Sequence, residues 1–112
     1  MNLTASQLFK AMNDKHTNVK DIEGQVIHPV AFHTHTYQDS DNKDHSVLVI
    51  FDGDSGKMYK TEVSAFIEKF MKYDEAFGSL PDEEKPRIVI SARVSKKGNK
   101  YANFDLVDSE ED

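Results

Sequence analysis

Five consecutive apolar residues, Val47-Leu48-Val49-Ile50-Phe51, constrain this chain more than any other segment. Three of them are β-branched, and the run is shorter than an ordinary helix. Polar turn-forming stretches bound it on both sides: QDSDNKDH over 38–45 and DGDSG over 52–56. An alternating strand buries one face, whereas a strand that is apolar at every position predicts burial on both. Lys57 to Val63 then supplies a partner strand, so the segment reads as one arm of a hairpin.

The remaining elements follow from periodicity. Thr4 to Met12 predicts a short helix, with Thr4 or Ser6 placed to cap it and Leu8, Phe9 and Met12 forming an apolar stripe. Val19 to Tyr37 predicts one long strand that bends across a core, with Gly24 as a bulge and Pro29 at an edge or irregular position. Glu62 to Phe77 has helical spacing, with Phe66, Ile67, Phe70, Met71 and Phe77 on one side, Ser64 as cap and Gly78 as terminator. Arg87 to Ser95 alternates as a strand, turning Ile88, Ile90, Ala92 and Val94 one way. After the turn Lys96-Lys97-Gly98-Asn99-Lys100, the last strand turns Ala102, Phe104 and Leu106 inward and Tyr101, Asn103 and Asp105 outward. Five strands with an N-terminal helix and a second helix between strands 3 and 4 give the element order of an OB-fold, a five-stranded Greek-key barrel. A five-stranded α+β sheet has much the same pattern.

Composition narrows the function. A chain of 112 residues carries one hydrophobic core. The absence of cysteine removes disulfides, thiolate nucleophiles and cysteine zinc sites together. No apolar run reaches the roughly 20 residues of a membrane span, and Met1-Asn2-Leu3-Thr4 lacks the pattern of a secretory signal. These features predict a cytosolic protein. The net charge of −6 argues against a nucleic-acid partner, but its distribution qualifies that argument. Four of the 20 acids lie in the tail 108–112, outside a domain over residues 1–107. Meanwhile Arg93, Lys96, Lys97 and Lys100 cluster with no acid among them. Local potential outweighs net charge because salt screens beyond about 8–10 Å.

Three stretches carry a resemblance. They are LTASQLFKAMND followed by VKDIEGQVI, then VLVIFDGDSGKMYKTEVSAFIEKF, then IVISARVSKKGNKYANFDLV. Together they span most of the chain, and it resembles the small OB-fold single-stranded-DNA-binding proteins of bacteriophages that infect Gram-positive bacteria. The resemblance implies sequence-independent binding of single-stranded DNA in phage replication or recombination, in the cytoplasm of an infected host cell. It also implies replication or recombination proteins as partners of the acidic tail. One departure stands out: bacterial single-stranded-DNA-binding proteins have a longer acidic tail with an apolar tip, and this one ends DSEED. The oligomeric state stays open, a homo-oligomer included.

The candidate DNA-binding residues are of two kinds. Arg93, Lys96, Lys97 and Lys100 would meet phosphates, beside Tyr101 as a stacking surface. Single strands call for this pairing because every base has a π-face. An ordinary solvated β-turn is the alternative for that segment. Tyr37 and Tyr59 lie on strands 1 and 3, with Lys57 and Lys60 flanking Tyr59 and His33 and His35 sharing a strand face. Partial core packing is the alternative for the tyrosines. Two imidazoles on one face also suit a metal, yet no carboxylate stands at a telling spacing, and no metal or cofactor is expected. The DGDSG turn lacks a calcium loop's glutamate, since the twelfth position from Asp52 is Val63. No GxSxG, P-loop or HExxH pattern is present, which points to a binding protein rather than an enzyme. An acidic protein-interaction module or DNA mimic on the same scaffold is the competing expectation.

Overall fold

The computed structural model describes residues 4–13 and 15–107. The acidic tail lies outside the described residues, as does the side chain of Met12. The described chain is mainly β, with seven strands and two α-helices. In order these are α1 (Ala5–Asn13), β1 (Thr17–Asn18), β2 (Val26–Ile27), β3 (Pro29–Gln38), β4 (Asp44–Asp52), β5 (Met58–Thr61), α2 (Ser64–Phe77), β6 (Ile88–Val94) and β7 (Lys100–Leu106). One sheet has the strand order β1-β5-β4-β3, the other β2-β6-β7. All pairings are antiparallel except β1 with β5.

The long first strand is shorter and more broken than its pattern predicts. Val19–Ile22 is a 3-10 turn, capped where the Asn18 side chain accepts the Lys20 N–H. Its apolar residues sit three apart and both enter the core. Gly24, at φ +88°, serves the turn that follows rather than a bulge. The strand then runs from Val26 to Gln38 with one interruption at His28. There the His28 N–H bonds the side-chain carboxylate of Asp52 instead of a strand's backbone, and Pro29 has no N–H to give. The register with β4 shifts between Pro29 and Ala31, the irregularity expected of Pro29. This break lets one stretch of chain serve both sheets, as β2 in one and β3 in the other.

The two sheets do not close into a barrel. The edge of β5 that closure requires is taken by β1 instead. The 3-10 turn beside it contacts β5, β6 and β7 and places Val19 and Ile22 in the core.

The core explains the Val47–Phe51 run. Leu48 and Ile50 point between the sheets into the main cluster with Ile27, Phe66, Phe70, Ile88, Ile90 and Phe104. Val47 and Val49 point the other way, into a second cluster with Ala11 of α1 and Met58 beside it. Both faces are buried because α1 lies on the outside of the sheet. A capping box starts α1: Thr4 Oγ1 accepts the Gln7 N–H while Gln7 Oε1 accepts the Thr4 N–H. Of its apolar stripe Leu8 and Phe9 are exposed, and Ala11, between them and the end of the helix, makes the buried contact.

Helix α2 packs its aromatic side on β7. The rings of Phe66 and Phe104 lie 4.8 Å apart, and Phe70 and Tyr73 also approach Phe104. Ser64 does not cap this helix; Val63 holds the N-cap position without a side-chain bond. Lys69 reaches across to donate to the Phe104 carbonyl. Burial also holds Tyr73 protonated to high pH, its hydroxyl donating to the Pro86 carbonyl at 2.6 Å. The inward pattern of β6 and β7 holds for Ile88, Ile90, Ala102 and Phe104 but fails for Val94 and Leu106, which are exposed. The hairpin overruns the core at its ends, where none of the described residues covers the inner face.

Candidate nucleic-acid interface

The outer face of the four-stranded sheet carries His33, His35 and Tyr37, alternate residues of β3 set opposite Val49, Val47 and His45 of β4. The His33 and His35 rings stack at 5.3 Å. His33 Nε2 and His35 Nδ1 are shielded and have no hydrogen-bond partner among the described residues. Burial lowers the His33 pKa, and the neighbouring His35 lowers it further. Among the described residues no group of three or more histidine or acidic side chains is arranged to hold a metal ion. The Asp52 carboxylate of the DGDSG turn is engaged by the N–H groups of His28 and Asp54 and the Ser55 hydroxyl. The turn is the hairpin connection that its sequence suggests.

Tyr37 lies flat on His45, with ring centroids 4.9 Å apart and planes 13° from parallel. Its hydroxyl donates to the Glu62 carboxylate at 3.1 Å. His45 in turn stands between Asp39 at 2.7 Å and Glu62 at 3.3 Å. This cluster ties the tip of the β3–β4 hairpin to the segment between β5 and α2. The hydrogen bond to Asp39 raises the His45 pKa above 6.5, and Glu62 adds to it. The same bond from His45, with the Lys43 N–H, lowers the Asp39 pKa below 3.8. Burial raises the Tyr37 pKa, and Glu62 raises it further.

A pH dependence follows. A raised histidine pKa stabilises the fold fully below pH 6.5, and that contribution fades as pH climbs through the folded value. A lowered aspartate pKa stabilises above pH 3.8 and fades as pH falls. The latch is therefore strongest between these two values. Thermal melts should show the melting temperature falling from pH 6 to pH 9 in the wild type, with a shallower fall in His45→Gln. Identical slopes in the two proteins would show that the latch contributes nothing.

Tyr59 is not at this surface. It pairs with Ile50, shares its inward facing and is 6 % exposed within the main core, so it offers no face for stacking. Its neighbour Lys60 faces outward opposite Val49 and lines a hollow of about 230 Å³ with His35, Tyr37 and Glu62. Lys57 is exposed in the β4–β5 turn and lines neither hollow described here.

The β6–β7 hairpin forms the second part. Its turn closes through Ser95 N–H to the Asn99 carbonyl and Gly98 N–H to the Ser95 carbonyl. Gly98 adopts φ +85°, which favours glycine at that position of the three-residue loop. Lys96 and Lys97 are exposed on it. Arg93 pairs across the strands with Tyr101, so the guanidinium and a half-exposed ring share one face. Two of the cations have acidic neighbours: Arg93 reaches Asp105 at 3.4 Å, and Lys100 meets Glu23 at 2.9 Å. Beside the hairpin lies a cleft of about 550 Å³, with Ala92, Tyr101 and Ala102 on one side and Lys20, Asp21 and Glu23 on the other.

Glu62 lines both hollows and so links the two parts. Its role, and those of His45 and Asp39, escape sequence reasoning because three separate segments meet there. The Tyr37–His45 pairing alone was open to inference, from the hairpin register across the 38–45 turn. Compared with known proteins, the chain matches no family model, no curated protein and no solved structure.

Proposed function

We propose that this chain binds single-stranded DNA independently of sequence, as a phage replication or recombination protein in the host cytoplasm, and that it is not an enzyme. The observation that carries the reading is the joining of solvent-reaching aromatic rings, Tyr37 exposed and Tyr101 half-buried, to cations on two connected surfaces. Tyr101 stands beside Arg93 on a hairpin tipped by Lys96 and Lys97, and Tyr37 stands near Lys60. Charge holds phosphates, and rings hold bases. The chain order adds support. A strand run shared by two sheets, two further strands, a helix and a terminal hairpin follow one another in the order expected of an OB-fold, although the sheets do not close.

A second reading, an acidic protein-interaction module or DNA mimic, is favoured by the net charge of −6 and by the acids paired with Arg93 and Lys100. Salt separates the two. Each neutralised phosphate of a single strand contributes about −0.7 to the slope of log affinity against log salt. Three to five contacts imply a slope of about −2 to −3.5 for a mixed-sequence oligonucleotide followed by fluorescence anisotropy. A flat dependence, or no binding at low salt, would sink the DNA reading and leave the interaction module.

A further inference from the structure

The cleft beside the β6–β7 hairpin is unlike a phosphate site. The charged residues that line it are Lys20 and Lys100 against Asp21, Glu23 and Glu62, so acids outnumber bases. Lys100 is already held by Glu23. A phosphate entering here would meet net repulsion. An uncharged planar group would not. Ala92 and Ala102, directly opposite each other across β6 and β7, leave room by their small size, and Val63 and Tyr101 add apolar surface. The volume of about 550 Å³ lies among those of small-molecule sites.

On the reading that the chain binds single-stranded DNA, we infer that this cleft receives a base, edge first, and favours bases that carry an amino group. Phosphates then run outside, along Arg93, Lys96 and Lys97. The chemistry is set by the carboxylates. Cytosine presents an N4 amino donor where thymine presents a carbonyl and a methyl. Asp21 and Glu23 accept hydrogen bonds and donate none at neutral pH, and bonds to an ionised acceptor are among the stronger ones. The carboxylates therefore favour cytosine, and thymine, which has only its N3–H to give them, is held less tightly. Oligo-dC and oligo-dT share a pyrimidine ring, so stacking differs little and the edge decides.

The test is equilibrium binding of the full chain to oligo-dC and oligo-dT of equal length in the same salt, slightly alkaline so that oligo-dC stays single-stranded. The wild type should bind oligo-dC about fivefold more tightly, at the low end of one base-edge contact. In the double variant Asp21→Asn, Glu23→Gln the ratio should fall within about twofold, because an amide satisfies either base edge. Both affinities should also rise, since Lys100 loses its carboxylate partner; the ratio isolates the cleft from that general gain. These residues are exposed, so the variant should keep its fold. Equal wild-type affinities, or a preference that survives in the variant, overturns the inference while leaving DNA binding intact. Failure of both oligonucleotides to bind at low salt overturns the DNA reading and this inference with it.

Discussion

Tyr101→Ala is expected to weaken binding of single-stranded DNA about five- to a hundred-fold, the range in which one base–aromatic stack falls by alanine substitution. The geometry behind this is the facing of β7. Ala102 and Phe104 turn into the core, and Tyr101 turns the other way to share a face with Arg93. Removing its ring deletes contact surface for a base without opening a hole in the core, so the melting temperature should move little. Anisotropy titration and a thermal melt on the same preparation read both quantities. A large drop in melting temperature, with affinity per folded molecule intact, would remove Tyr101 from the interface.

Phe104→Ala, three residues along the same strand, should do the reverse. Phe104 is 2 % exposed and stands at the meeting point of Phe66, Phe70 and Tyr73, with the Lys69 ammonium 5.0 Å from its ring centre. Truncating a buried phenylalanine costs about 3–5 kcal/mol, the lost transfer energy plus the cavity left behind. Domains have roughly 5–15 kcal/mol in total, so the variant should be marginal or unfolded at 37 °C. Urea denaturation gives the difference directly. A loss under about 1 kcal/mol would mean that α2 collapses into the gap and the aromatic cluster is more adaptable than its packing indicates.

What was legible in the sequence was local. The Val47–Phe51 run announced burial on both faces, and the second cover proved to be α1. The α2 stripe, the β4–β5 hairpin and the basic turn likewise followed from spacing and turn chemistry. The failures share a cause. Met58 and Tyr59 are adjacent and both hydrophobic, so pattern alone could not decide which faces the core; pairing with Ile50 decides it. Val19 and Ile22 suit a strand or a single 3-10 turn, and only the space between the sheets selects the turn. Barrel closure requires β5 to meet β7, a pairing between distant segments that no residue type marks. The Tyr37–His45–Glu62 cluster was hidden for the same reason, with Glu62 contributed from beyond the intervening hairpin.

The interruption at His28 bears on the order in which the molecule assembles. Strands β3, β4 and β5 are successive in the chain and joined by short turns, so their pairing closes small loops at small entropic cost. Strand β2 pairs instead with β6, which arrives only after that whole meander and α2 have been laid down. Non-local contacts of this kind are slow to form. The meander is thus the natural nucleus, and the three-stranded sheet condenses on it late. The hairpin bearing Arg93, Lys96, Lys97 and Tyr101 belongs to that late layer, joined to the nucleus through the backbone at His28 and through α2, which packs on β7.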